Sequence, residues 1–161
     1  MASLPSADPD RLVAADVVRG TSRLLYRAGI ASLCEVPLGN GRRADILGLD
    51  AAGRITLVEV KVSTADLRGD LKWPEYLDYC DRFFWAVPEG FPLGDFELPW
   101  FQPARCGLIV ADRWDAAELR PAPWVPLPAA RRKAETLRFA RRAAQRLLFG
   151  NDPAAGEMPV E

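Results

Sequence analysis

The chain has no histidine among its 161 residues. That excludes Ser-His-Asp and Cys-His catalysis, His-ligated zinc, and any nuclease whose base is an imidazole. General acid and base work must fall to carboxylates, lysine, tyrosine or a metal-bound water. The three cysteines, Cys34, Cys80 and Cys106, stand far apart, and none belongs to a C-x-x-C pair. An odd number of scattered thiols fits reduced core residues in a reducing compartment, so a cytoplasmic location is expected. No apolar run approaches the roughly 18 residues of a membrane span. No basic start leads into an apolar stretch with a cleavage site, so no signal peptide is expected either. A glycine-rich phosphate loop of the P-loop or dinucleotide type is also missing.

What remains is a globular composition, 49% hydrophobic and 27% charged. It suffices for one domain with a real core, expected over residues 8–149 with flexible stretches at 1–7 and 150–161. The net charge of -1 conceals an uneven distribution. Residues 128–148 carry seven positive charges (Arg131, Arg132, Lys133, Arg138, Arg141, Arg142 and Arg146) against one acid, Glu135. Local charge is therefore a better guide to nucleic-acid binding than the total.

Turn and periodicity signals divide the chain. Asp8-Pro9-Asp10 reads as a helix start, followed by Val13, Val17, Leu24, Leu25 and Ala28 at helical spacing and a stop at Gly29. Strands are expected near 32–36, 43–49 and 55–62, with turns at 37–41 and 50–54. A short helix opened by a Ser, Thr or Asp cap follows at 63–71, then a second from Trp73-Pro74 to Tyr79-Cys80. A fourth strand covers Arg82–Val87 and is closed by Pro88. Residues 88–104 read as a long loop and Cys106–Ala111 as a fifth strand. A sixth strand falls at Glu118–Arg120 or Trp124-Val125. The last helix spans Ala129–Phe149, with Leu137, Ala140, Ala144 and Leu147 on one face and Gly150 as its stop. This order predicts a mixed α/β domain, a central sheet with helices on its faces.

The chemistry-bearing residues sit on the second and third strands. Asp45 lies in the second, and Glu59-Val60-Lys61 ends the third. Alternation puts Glu59 and Lys61 on one face, roughly 6.5 Å apart, and Val58, Val60 and Val62 on the other. A glutamate and a lysine on a central strand are costly unless paired or bound. Asp45 on the neighbouring strand can complete the group. A hard divalent cation, Mg²⁺ or Mn²⁺, between Asp45 and Glu59 would relieve their repulsion, with the Val60 carbonyl as a further oxygen ligand. Lys61 would then orient the attacking water and offset charge on phosphorus. Spacing alone leaves a second reading open, a Lys61–Glu59–Asp45 salt-bridge cluster without chemistry. An acid-x-lysine triplet is weak by itself, since Asp70-Leu71-Lys72 is another, without the strand context.

These residues resemble the PD-(D/E)XK nuclease superfamily, with Asp45 answering the first acid and Glu59-Val60-Lys61 the second motif. The order helix, three strands, helix, strand resembles that superfamily's restriction-endonuclease-like core, α-β-β-β-α-β, here with a C-terminal helix. More closely, the chain is similar to the MmcB-type bacterial DNA repair proteins. The segments that carry the likeness are Glu35-Val36-Pro37-Leu38, Gly41-Arg42-Arg43-Ala44-Asp45, Val58-Glu59-Val60-Lys61, Lys72-Trp73-Pro74-Glu75-Tyr76, Tyr79-Cys80-Asp81-Arg82-Phe83 and Arg131-Arg132-Lys133. Ala44 stands where the motif's proline would be. The resemblance implies a DNA repair role, DNA and other repair proteins as partners, and a nuclease-type site using Mg²⁺ or Mn²⁺. A homodimer would follow where both strands are cut. Inactive members of the superfamily exist, so a catalytically silent DNA-binding or adaptor protein is the alternative.

Further candidates surround the core motif. Many relatives add an acid from the first helix; here that is Asp16, with Glu35 on strand one the favoured alternative. Lys72 could reach a phosphate and Tyr76 could orient water or sugar, while Trp73 reads as core or hinge. Arg43 shares a face with Asp45 and could contact phosphate; Arg42 reads as a turn residue. Arg138, Arg142 and Arg146 form an i, i+4, i+8 stripe suited to DNA phosphates, or simply a solvated face.

Overall fold

The computed structural model describes residues 10–159. Its first helix, α1 (Ala14–Arg27), starts later than the Asp8-Pro9-Asp10 signal suggests; Asp8 and Pro9 lie outside the described residues. Asp16 sets the start, its carboxylate accepting the Val13 N–H at 2.9 Å, a side-chain closure of the first turn. Val17, Thr21 and Leu25 form the buried face. Gly20 lies between them, where a Cβ would come within 2.4 Å of the Asp112 and Asp115 carbonyl oxygens. Glycine therefore lets the 112–115 turn close onto the helix.

Six strands follow: β1 (Ala31–Pro37), β2 (Arg43–Leu49), β3 (Ile55–Val60), β4 (Arg82–Pro88), β5 (Cys106–Ala111) and β6 (Ala116–Arg120). They form one sheet in chain order. β1, β2 and β3 pair antiparallel, β3–β4 and β4–β5 pair parallel, and β6 returns antiparallel. The β2–β3 hairpin turns at Asp50, whose Oδ1 accepts the Ala52 and Arg54 N–H groups, and at Gly53, with φ 79°.

A parallel partner requires a crossover. Between β3 and β4 it is α2 (Thr64–Gly69), capped by Ser63 Oγ accepting the Asp66 N–H at 3.1 Å, then a 3-10 turn at Trp73–Tyr79. Between β4 and β5 it is residues 89–105, with 3-10 turns at Gly94–Glu97 and Pro99–Phe101. That segment reads as loop from its proline and glycine, yet it buries Phe96 and Phe101. Each such phenylalanine contributes about 1.5–3 kcal/mol.

The sheet separates two apolar layers. On one face Ile46, Val58, Phe84, Ala86 and Ile109 pack with Val17 and Leu25 of α1. On the other, Leu47, Leu57, Phe83, Trp85 and Leu108 pack with Trp73, Tyr76, Phe96 and Phe101. Trp73 and Trp85 meet edge to face at 5.2 Å. The expected mixed α/β architecture is present, a six-stranded mixed sheet flanked by helices, consistent with an α/β nuclease-like fold.

The last helix, α3 (Ala129–Asn151), departs from expectation. It runs through Gly150, and its buried residue is Glu135. The apolar face read from periodicity is open to solvent, with Leu137 55% and Leu147 68% exposed. Phe139 packs against the core, and the rest of the hold comes from the helix's polar edge. Arg132 makes two 2.6 Å contacts to the buried Asp81 carboxylate, and Arg146 reaches the Cys34 and Glu35 carbonyls of β1. Beyond it, Pro153–Glu157 forms a further 3-10 turn.

Candidate functional site

The β2–β3 ladder pairs Ile46 with Val58, which makes Asp45 and Glu59 the next residues in register. At that point side chains take over from backbone. Glu59 Oε1 accepts the Asp45 N–H at 3.1 Å, and Asp45 Oδ2 accepts the Val60 N–H at 2.7 Å. The two carboxylates therefore sit together where the paired strands part, on the face that carries Leu47 and Leu57. Val60 packs on the opposite layer, as strand alternation requires.

Glu59 is 4% exposed. Burial first, and the Asp45 charge second, push its pKa up to about 9. Burial also raises Asp45, against the pull of the Val60 amide and the Lys61 charge. A raised pair of acids is one that lacks enough compensating positive charge. Lys61 does not supply it by contact, because its Nζ is bound to Asp70 Oδ2 at 2.8 Å. Tyr76 completes the group from the 3-10 turn, its hydroxyl donating to the Arg43 carbonyl at 3.1 Å. Burial, with the charges of Glu59, Asp45 and Asp70, pushes the Tyr76 pKa upward, so it stays a neutral donor.

Asp45, Glu59, Lys61 and Tyr76 thus come together, with Val60 between them. Asp70 belongs with them too. It closes α2 as its C-terminal cap, and the crossover swings it back over Lys61. Its acid-x-lysine triplet is visible in the sequence; its closeness to Lys61 is not.

Other candidates fall around the cluster. Arg43 is exposed and lies 3.6 Å from the Glu35 carboxylate. Glu35 is exposed with φ 52°, a costly conformation for a non-glycine residue. The Arg146 guanidinium holds its carbonyl at 2.9 Å. Lys72 is exposed at the head of the 3-10 turn, its carbonyl accepting the Glu75 N–H at 3.1 Å and its side chain making no hydrogen bond or ion pair among the described residues. Arg42 bonds Glu75 at 2.6 Å. Asp16 faces Arg113 at 3.5 Å on α1, which covers the layer opposite the acids. Arg138 and Arg142 line an open groove of about 330 Å³ with Pro37, Leu137 and Arg141.

The donor set bears on a metal. Each acid commits one oxygen to a backbone amide, which leaves Asp45 Oδ1 and Glu59 Oε2. Among the described residues no group of three or more His, Cys, Asp or Glu is arranged as a metal cage. Two carboxylate oxygens fit a hard cation such as Mg²⁺, which keeps several waters and takes one or two carboxylates plus substrate phosphate. They do not fit a cation that needs an all-protein shell.

The fold and the acid cluster define a mixed α/β protein with paired carboxylates and a lysine at the mouth of a β-hairpin. The chain belongs to the MmcB-like family of DNA repair proteins, whose family model matches residues 6–154. It is also similar, at 40% identity and a TM-score of 0.78, to the SPO1766 protein of unknown function from Silicibacter pomeroyi. That match covers 89% of this chain and 94% of the other. No curated protein matches the chain. Family membership supports a role in DNA repair. Among the described residues no helix is long and apolar enough to cross a membrane.

Proposed function

We propose that the protein is a metal-dependent deoxyribonuclease of the PD-(D/E)XK type acting in DNA repair. One observation carries this reading: two neighbouring carboxylates with raised pKa, one of them buried, whose nearest lysine is held by another acid. Asp45 Oδ1, Glu59 Oε2 and the Val60 carbonyl would hold Mg²⁺ or Mn²⁺. When bound, such a cation lowers the pKa of its water and offsets charge on the phosphate.

The chain's own residues do the rest. Lys61 orients the attacking water, and Asp70 holds the ammonium group in place. Tyr76, neutral and donating its proton to the Arg43 carbonyl in a hydrogen bond, offers its hydroxyl oxygen as an acceptor to sugar or water. Glu35 is the further acid, and Lys72 reaches a phosphate. Arg43, Arg138 and Arg142 position the DNA backbone, while Arg146, committed to the Cys34 and Glu35 carbonyls, holds α3 against β1.

The test is incubation of single-stranded, duplex, flapped and branched DNA with Mg²⁺ or Mn²⁺. Cleavage by the native chain should fall at least about a hundredfold in Asp45→Ala and Lys61→Ala, the scale of losing a preorganised charge. Absence of metal-dependent cleavage, or full cleavage by Asp45→Ala, overturns the reading.

A second reading has one observation in its favour. The cluster is partly closed on itself, with Lys61 on Asp70 and each acid on a backbone amide. A DNA-binding or adaptor protein that keeps the fold without turnover would show this. In that case Lys61→Ala is silent, while neutralising Arg138 and Arg142 abolishes function.

A further inference from the structure

The sheet's other side carries a feature that the acid cluster does not use. Arg19, Arg23 and Arg27 lie at i, i+4, i+8 along α1, all exposed. Tyr26 stands among them at 81% exposure. The 112–115 turn docks on this helix and places Trp114 over the arginines. The Arg19 guanidinium lies 4.4 Å from the indole centroid and that of Arg23 5.5 Å. Trp114 is nevertheless 60% exposed. Together with Ser22 these residues line an open cleft of about 450 Å³.

The indole is presented by a rigid turn. Asp112 Oδ1 accepts the Trp114 and Asp115 N–H groups at 2.7 and 2.8 Å. The Trp114 carbonyl accepts from Arg23 at 3.0 Å, Arg27 pairs with Asp115, and the closeness at Gly20 fixes turn against helix. A large ring held in water by a fixed support has its ordering cost met before any ligand arrives.

We infer that this cleft is a binding site for single-stranded nucleic acid, with bases stacking on Trp114 and Tyr26 and phosphates meeting Arg19 and Arg23. Ring faces beside guanidinium groups match the alternation of base and phosphate along a strand. A duplex hides its base faces and cannot use the rings. An acidic peptide fits less well, because Arg27 and Arg113 already have Asp115 and Asp16 as partners. Of the cations lining this cleft, that leaves Arg19 and Arg23 without an ion pair among the described residues. The inference does not rest on metal chemistry and holds equally for a protein that never cuts.

The experiment measures fluorescence anisotropy of a labelled oligothymidylate of about twelve nucleotides, with the full chain in EDTA so that no cleavage intervenes. Trp114→Ala should weaken binding about tenfold, the loss of one stacked base. Trp114→Phe should retain most of the affinity, and affinity for a matched duplex should be unchanged in both variants. Arg19→Ala with Arg23→Ala should flatten the dependence on salt by roughly 1.4 in the log–log slope. Far-ultraviolet circular dichroism checks that each variant is folded, and the Arg19/Arg23 variant reports on the site should Trp114→Ala unfold. Unchanged single-strand affinity in the folded variants overturns the proposal. So does a polyglutamate peptide that binds as tightly and depends on Trp114 in the same way, which would assign the cleft to an acidic protein.

Discussion

Glu59 keeps its proton up to about pH 9 in the folded chain, against an ordinary value of 4.5. Between those values the unfolded chain has released a proton that the folded chain still holds. Stability from this group is therefore complete below about pH 4.5 and is lost as the pH rises towards 9. Denaturant titrations at pH 5 and pH 8.5, without divalent ions, should show that decline, and Glu59→Gln should flatten it. Parallel profiles for the two proteins would show that Glu59 is not the group responsible. The divalent cation of the proposed nuclease reading would take the proton's place, so its binding should strengthen with pH and release a proton. The facing of Asp45 and Glu59 was legible in the sequence, because strand alternation and a short turn leave little freedom. The Lys61–Asp70 contact was not. It depends on how a crossover of two short helical pieces folds back, and no periodicity encodes that.

Among the elements, α3 is anchored in part by a buried acid that lies outside it. Asp81 is 1% exposed and accepts the Ile55 N–H at 2.6 Å, the Leu127 N–H at 2.9 Å and both Arg132 nitrogens. It joins the start of β3, the segment before α3 and α3 itself. Burial works against its charge, but Arg132 and the two amides outweigh that and hold its pKa below the ordinary 3.8. Asp81→Ala should cost about 3 kcal/mol, the scale of breaking a buried pair, measured by urea unfolding at neutral pH. The wild-type contribution is present above the ordinary carboxylate range and is lost as pH falls through the lowered value. The variant's acid limb should therefore be shallower, and a loss under about 1 kcal/mol would show that α3 is held elsewhere. This contact also explains two segments of the family likeness, around Asp81 and around Arg132, as parts of one structural tie. Strands were easier to read than α3. Arg43–Leu49 and Cys106–Ala111 fall at their expected bounds, since turns bracket each run. Periodicity correctly grouped Leu137 with Leu147, but it reports which residues share a face, not which face the fold covers.

At the scale of the molecule, charge and topology divide the surface. The chain's net charge is -1, so it has no general attraction for DNA, and any duplex binding must be local. The place we propose for it is the arginine-lined groove of α3. α3 lies along β1, and Arg146 ties it to the Cys34 and Glu35 carbonyls, one strand away from Asp45. A duplex lying on Arg138 and Arg142 would thus pass beside the acids, whereas the α1 cleft looks out from the other face. The two surfaces should respond independently. Replacing Arg138 and Arg142 by alanine should lower the slope of log affinity against log salt for duplex DNA by about 1.8, roughly 0.9 for each lost phosphate contact. Thermal stability should fall through Arg138, whose guanidinium lies 3.6 Å from the buried Glu135 carboxylate, and barely through Arg142. Arg146→Ala should lower the thermal midpoint for another reason, because it frees two β1 carbonyls and releases the backbone at Glu35. Filter binding from low to physiological salt, paired with thermal unfolding, separates the two effects. A duplex slope unmoved by the double substitution would mean that the stripe is only a solvated face, and DNA would have to approach the acids from the side of Arg43 and Lys72.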